Sequence, residues 1–265
     1  MIESIQNSNI KQLTHILAKN AARRASGVFV VEGGQENRRA LQFGFVPVKF
    51  FICEKFFTGN VPQGAEIHSI SDKVYEKVAY RGTTEGIIGI YETKNTDLNQ
   101  FTPSPNSSVI VIEGVEKPGN LGAILRSAEA FAIDAVIVTD CKTDFYNPNV
   151  IRSSVGCLFG MNIFAASNAT VADFLTKNSF CIFTTFINEN AKTIENIDFR
   201  GRCALVFGTE HSGLSEFWQS QGANFVIPMG GTIDSLNLGS AVAIACYELA
   251  RQRVAGRLKN YSRAK

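Results

Sequence analysis

The chain has 265 residues, of which 45% are hydrophobic and 19% charged, and its formal net charge is +2. This is the balance of a globular protein of one or two domains with a real core. It is compatible with an RNA partner without demanding one, because a small excess of Lys and Arg is common. From the N-terminus, "NIKQLTHILAKNAARR" sets Ile10, Leu13, Ile16 and Leu17 at helical spacing. "GVFVVEG" reads as a strand of β-branched and aromatic residues, and "QENRRALQFG" as a helix closed by Gly44. "VKFFICE" is a second strand, "SDKVYEKVA" a helix with Ser71 as its N-cap, and "GIIGIYE" a last strand. Residues 93–108, "TKNTDLNQFTPSPNSS", are polar, carry Pro103 and Pro105, and read as a linker. They divide the chain into a small α/β domain, 1–92, and a larger domain, 109–265.

The larger domain alternates more plainly. Strands are expected at 109–112, 135–139, 180–186, 203–207 and 224–228, and helices at 121–132, around 148–156, at 170–177, 213–220 and 237–255. Short, continuously apolar strands between helices predict a mostly parallel sheet with helices on both faces. The tail after Glu248 carries Arg251, Arg253, Arg257, Lys259, Arg263 and Lys265 and no acid. It fits a solvated helix end, favourable to the dipole, as well as it fits a phosphate-contacting tail. The six cysteines, Cys53, Cys141, Cys157, Cys181, Cys203 and Cys246, form no C-x-x-C pair, and His15, His68 and His211 are scattered. A zinc site or disulfide framework is therefore not expected; buried thiols in a reducing, cytoplasmic setting fit better. No apolar run approaches the ~18 residues of a membrane span, and the N-terminus is not a signal peptide.

Ligands of such sheets bind beyond the carboxyl ends of the strands, so chemistry is sought in the loops there. The first loop is "EGVEKPGNLG", where Pro118 and Gly119 make a turn before a helix with an apolar stripe of Leu121, Ile124, Leu125 and Ala128. Arg126 falls off that stripe and could simply pair with Glu129, and Asn120 could be a plain N-cap. A dinucleotide fingerprint needs G-x-G-x-x-G; this loop has only Gly119 and Gly122, although Asp140 lies at about the right distance for the ribose acid. The second loop, "LVFGTEHSGLSEF", sets Gly208 and Gly213 around Glu210, as a ligand-enclosing bend or as an ordinary strand-to-helix turn. The third, "NFVIPMGGTIDSLNLGSAVAIACYELARQR", turns at Met229, Gly230 and Gly231 and places Ser235 and Asn237 before a long helix rich in small residues. Either of those two could be that helix's N-cap. Three glycine-bearing loops, each following a strand of one sheet, can converge on one pocket.

In this order the loops resemble the three motifs of the SpoU (TrmH-type) RNA ribose methyltransferases, of the SPOUT superfamily. The first motif matches at Asn120, Gly122 and Arg126; the second at Gly208, Glu210, Gly213 and Leu214; the third at Ile227, Pro228, Met229, Gly231, Ser235, Leu236 and Asn237. "YNPNVIRSSVGCLFGMNIF" is similar to the family's stretch between the first two motifs, and "AARRASGVFVVEG" and "TEGIIGIYE" are similar, more loosely, to the small substrate-binding domain that often precedes it.

The resemblance implies an α/β fold with a parallel sheet and a C-terminal trefoil knot, preceded by a small α/β RNA-binding domain. It implies a homodimer without a metal. Its reaction is transfer of a methyl group from S-adenosylmethionine to a ribose 2′-hydroxyl of RNA. The family pattern assigns cofactor binding to Gly208, Ile227, Met229 and Leu236, and catalytic roles to Asn120, Arg126, Glu210, Ser235 and Asn237. A guanidinium keeps its proton in ordinary surroundings, so Arg126 fits best as a group that holds phosphate and stabilises developing charge; direct proton removal is the alternative. Arg23, Arg24 and Lys117, with Arg38 and Arg39, are candidate RNA contacts, against the equally plain reading of solvated helix faces. Lys117 stands where many relatives carry Asp, a departure that bears on substrate choice. The two-domain layout favours rRNA over tRNA as substrate. The rivals are a tRNA methyltransferase, a non-catalytic RNA-binding or ribosome-assembly protein of the same fold, and a nucleotide-dependent oxidoreductase.

Overall fold

In the computed structural model the described residues are 1–79, 85–140, 143–186, 188–209 and 212–254. Their contacts divide into two units. The first comprises residues 1–95, 117–126 and 143–160; the second comprises 96–116, 127–142 and 161 onwards.

The first unit begins with α1 (Ser8–Ala18), capped by Asn7, whose side chain accepts from the Asn9 amide at 2.9 Å. Ile10, Leu13 and Ile16 form its buried stripe, as the spacing predicts. The single helix expected through Arg24 is instead broken: Lys19 is extended, and α2 (Asn20–Ser26) follows. Arg23 accounts for the break. Its Nη1 donates to the carbonyls of Ile16 and Leu17, at 2.7 and 3.1 Å, which a continuous helix would have satisfied internally. Strand β1 (Val28–Glu32) leads to α3 (Gly34–Gln42), which ends where Gly44 turns left-handed at φ 71° and the amides of Gly44 and Phe45 return to the carbonyls of Leu41 and Ala40. Then come β2 (Pro47–Ile52), β3 (Glu66–Ser69), α4 (Asp72–Val78) with Ser71 as its cap, and β4 (Ile87–Glu92). The sheet order is β1-β4-β2-β3, antiparallel except for the β2–β3 pair. β3 escapes sequence detection because it is four residues long and only half covered.

Two segments from beyond the predicted linker belong to this unit. One is the first nine residues of α5 (Pro118–Ala130). The other is residues 143–160, containing α6 (Pro148–Ser153) and a 3-10 turn at Cys157–Gly160. α6 stops before the expected residue 156 because Val155 and Gly156 are left-handed, at φ 54° and 69°. The Phe29 ring stacks on Tyr146 at 4.3 Å, and Phe45 meets Phe159 edge-on at 5.0 Å. Burial pushes the Tyr146 phenol up to about 12, while its oxygen accepts from the Lys94 amide. In the same unit, buried Arg23 donates through Nε to Asp144 at 2.5 Å.

The second unit is built on seven strands: β5 (Ser108–Glu113), β6 (Ala135–Thr139), β7 (Asn162–Ala166), β8 (Cys181–Thr184), β9 (Lys192–Thr193), β10 (Cys203–Phe207) and β11 (Ala223–Val226). Their order is β7-β6-β5-β10-β8-β11-β9, every pairing parallel, as the alternation of strands and helices predicts. Val109, Val111, Ala135, Ile137, Ala204 and Val206 form one face, packed with α7 (Asn168–Lys177) and with Trp218 of α8 (Glu216–Gln219). Alternate residues Ile110, Ile112, Val136, Val138 and Leu205 are equally buried, which is why these strands read as unbroken apolar runs. The short β7 and β9 are absent from the sequence-based set of strands, and α8 is one turn rather than the expected eight residues. The chain's last described element is α9 (Leu238–Val254). At its end Arg251 clasps Glu248, and Arg253 donates to the carbonyls of Asn106, Phe199 and Gly201, so both arginines serve the fold. The remaining basic tail lies outside the described residues. No helix among the described residues is long and apolar enough to cross a membrane.

Candidate active site

The carboxyl ends of β8, β10 and β11 open on one pocket. Its lining includes Gly208, Ile227, Met229, Ser235 and Leu236, so four residues of the cofactor reading and one of the catalytic reading meet in one place. Thr185, Thr209 and Asp234 line it as well. Sequence reasoning had not singled these out: short polar residues in loops are too common to stand out, and only the neighbourhood of β8, β10 and β11 selects them.

Gly208 has a specific steric reason. A Cβ there would collide with the main chain of Gly213 and Leu214. The loop doubles back on itself: Thr209 and Gly213 exchange amide-to-carbonyl bonds of 3.0 and 3.2 Å, and the Ser212 amide donates to Thr209 Oγ1 at 3.0 Å. It is therefore a tight turn hung from β10, and Glu210 within it lies outside the described residues.

The third loop, 227–237, contains neither helix nor strand. Its main chain is not tied into a strand ladder, and the Asn237 carbonyl at its end accepts from the Ala241 amide at 2.9 Å. Met229 is 42% exposed and Ser235 is exposed, while Ile227 and Leu236 are half-buried. Asn237 is the N-cap of α9: its Oδ1 accepts from the Gly239 and Ser240 amides at 3.0 and 3.4 Å. That choice, left open between Ser235 and Asn237 by the sequence, fixes the end of the loop to the helix.

The first loop differs from expectation. Pro118 and Gly119 are not a turn before the helix but its first residues, with Pro at N1 where no amide partner is needed. Asn120 is accordingly inside the first turn of α5 rather than its cap; its amide and that of Leu121 donate to the Lys117 carbonyl at 3.1 and 3.3 Å. Gly122 permits close contact with α6, since a Cβ would overlap the Ser153 side chain. Arg126, one turn on, is exposed, as are Lys117, Arg24 and Arg38. Arg23 must be removed from the RNA-contacting set: it is 3% exposed and spends its donors on Asp144 and the α1 carbonyls.

The second unit is a parallel α/β sheet with a pocket over three adjacent strand ends, the place where ligands of such sheets bind. Residues 107–247 match the family model described as the SpoU rRNA Methylase family, and residues 7–89 match the MRM3-like substrate binding domain. The chain belongs to the SpoU rRNA methylase family; it is an RNA ribose 2′-O-methyltransferase that uses S-adenosylmethionine. It is 25% identical over 250 residues to a 23S rRNA (guanosine(2553)-2′-O)-methyltransferase of Bacillus subtilis, covering 94% of this chain and 98% of that one. It is 30% identical over 201 residues to a 23S rRNA (guanosine-2′-O-)-methyltransferase of Acinetobacter baylyi, covering 73% and 81%. A crystal structure of an RNA 2′-O ribose methyltransferase superposes with a TM-score of 0.82 at 34% identity, covering 96% of this chain and 99% of that one. An AdoMet-bound rRNA methyltransferase of Sinorhizobium meliloti superposes with a TM-score of 0.84 at 25% identity, covering 96% and 97%.

Proposed function

We propose that the protein methylates a ribose 2′-hydroxyl of ribosomal RNA, with the cofactor in the pocket of β8, β10 and β11 and Asn120 and Arg126 assigned to the RNA. The observation that carries this reading is the meeting of Gly208, Ile227, Met229, Ser235 and Leu236 in one pocket of a member of this family. The lining suits S-adenosylmethionine. Ile227, Leu236 and Leu238 offer apolar surface to a purine, and Thr185, Thr209, Asp234 and Ser235 offer polar atoms to hydroxyl and amino-acid groups. When bound, that cofactor supplies an electrophilic methyl group on a sulfonium.

The chain's own residues do the rest. The turn at 208–214 and the loop 227–237, anchored by the Asn237 cap, would hold the methyl donor, and positioning of this kind contributes much of the rate of a group transfer. Arg126 holds a phosphate of the target and stabilises negative charge developing on the 2′-oxygen. Asn120 orients the ribose or Arg126, and Glu210 organises the turn it belongs to. Residues 1–92 hold the RNA, with Arg24 and Lys117 among the phosphate contacts. The trefoil knot and the cytoplasmic setting implied by the family belong to the same reading.

A homodimer is part of this reading, supported by an apolar strip on the second unit. Ile244 and Tyr247 of α9 are 39% and 56% exposed, and Tyr247 meets Phe131 edge-on at 6.0 Å. Sedimentation equilibrium is expected to give twice the chain mass, and Tyr247→Asp to give the monomer.

The test is methylation of unmodified rRNA and of unmodified tRNA by purified protein, with cofactor binding followed by calorimetry. Wild type is expected to bind S-adenosylmethionine and modify rRNA. Arg126→Ala is expected to bind it equally and lose methylation. Absence of both binding and methylation would sink the proposal; methylation of tRNA alone would move the substrate to tRNA; full activity in Arg126→Ala would remove that residue's role.

A further inference from the structure

We propose that Glu113 is a positioning residue for the cofactor turn at 208–214; this rests on the methyl-transfer reading of the pocket. β5 is otherwise apolar from Val109 to Ile112, yet it ends in a carboxylate that is only 6% exposed. A buried charge costs several kcal/mol unless it is paired or well hydrogen-bonded. Glu113 is met by three donors from two other elements. Oε1 accepts from Asn168 Nδ2 at 2.5 Å and from Ser215 Oγ at 2.6 Å, and Oε2 accepts from the Ser215 amide at 2.7 Å. Asn168 is itself oriented, because its Oδ1 accepts from the indole of fully buried Trp218 at 3.1 Å.

Ser215 directly follows the cofactor turn and stands at the N-cap position of α8. The other end is held by β10, whose Phe207 lies beside Ile112 in the sheet. The next residue, Gly114, is left-handed at φ 66°, and a Cβ there would come within 2.9 Å of Thr209 Cγ2, at the start of the turn. Glu113 and Gly114 thus bear on both ends of the segment. Within that segment Thr209 and Gly213 are bridged to each other. Gly208, Thr209 and Gly213 line the pocket. The carboxylate therefore sets where this wall of the pocket stands without touching the ligand. Glutamine in its place has one acceptor oxygen and would turn an NH2 group toward a donor, leaving a buried bond unmade.

The experiment measures S-adenosylmethionine affinity by calorimetry, and the KM values for the cofactor and for RNA, in wild type, Glu113→Gln and Ser215→Ala. Glu113→Gln is expected to weaken cofactor binding and raise its KM roughly tenfold, the equivalent of one or two lost hydrogen bonds, with the KM for RNA within twofold of wild type. Ser215→Ala, which keeps the amide bond to Oε2, is expected to fall between them. A merely structural role would lower thermal stability and leave cofactor affinity unchanged in the folded protein, and that result overturns the proposal. If Glu113→Gln does not fold, Ser215→Ala decides by the same readout. Wild type that fails to bind S-adenosylmethionine overturns the pocket assignment itself, a failure distinct from equal binding by wild type and variant.

Discussion

Removing the Asp144 carboxylate tests how the first unit is held together. The Arg23 and Asp144 side chains are 4% and 11% exposed, and the ion pair closes residues 143–160 onto the N-terminal helices. Asp144→Ala leaves a buried guanidinium short of its counter-charge, although Nη1 keeps the Ile16 and Leu17 carbonyls. It also strips the Tyr146 amide of its acceptor, Asp144 Oδ1, at 2.8 Å. Breaking a buried pair by removing one partner costs about 3–5 kcal/mol, and the retained carbonyl bonds place this one near the lower end, at about 3 kcal/mol. Replacing both partners by apolar residues, Arg23→Met with Asp144→Leu, removes the stranded charge but leaves the Ile16 and Leu17 carbonyls and the Tyr146 amide without their side-chain partners, so it is expected to recover only part of that loss. Urea unfolding followed by circular dichroism reads the whole chain. The fluorescence of Trp218, the sole tryptophan and fully buried in the second unit, reads that unit. The dichroism midpoint should fall in Asp144→Ala and recover in part in the double variant, with S-adenosylmethionine affinity unchanged in both. A loss under about 1 kcal/mol in Asp144→Ala would refute the reasoning, because it would mean the pair behaves as a solvated surface contact.

Gly122→Ala is expected to push α5 from Ser153 and abolish methylation at least a hundredfold while sparing cofactor affinity, with partial rescue by Ser153→Gly; single-turnover assays read both. Asn237→Ala removes the α9 cap and is expected to cost about 1 kcal/mol in urea unfolding and to raise the cofactor KM, since the loop end is freed. Cys181 is exposed, while Cys203 and Cys246 are buried, with burial pushing their thiols up to about 11 and about 12. Iodoacetamide at pH 8 should therefore label Cys181 and spare those two, as mass spectrometry of peptides would show. Because the folded thiol values lie above the ordinary value of 9.0, the unfolded chain loses these protons first. The stabilisation is thus complete below about pH 9 and declines as pH rises through 11 to 12, measurable as a falling urea midpoint.

The sequence by itself determined the elements whose signals are local. Apolar runs at 109–112, 135–139 and 203–207 are strands because a two-faced parallel sheet needs nothing but apolar side chains on either side. Ser71 and Gly44 mark a helix start and a helix end through their own side chain and backbone freedom. Gly208, Ile227, Met229, Ser235 and Leu236 were legible as a set only through the resemblance of their loops to the family's motifs; that they line one pocket is a matter of the tertiary structure. Tertiary structure decided what depends on partners distant in the chain. Arg23 and Arg24 are adjacent and chemically identical, yet Asp144, 121 residues away, and the carbonyls of α1 take one into the core and leave the other in solvent. The same contact broke the helix that the apolar spacing continued. Pro118 and Asn120, expected before the helix as turn and cap, both lie in its first turn because the helix starts three residues early, on the Lys117 carbonyl. Glu113 looked like the polar end of a strand. It is a buried anchor because the parallel order of β5 beside β10 brings Ser215, 102 residues on, to its carboxylate.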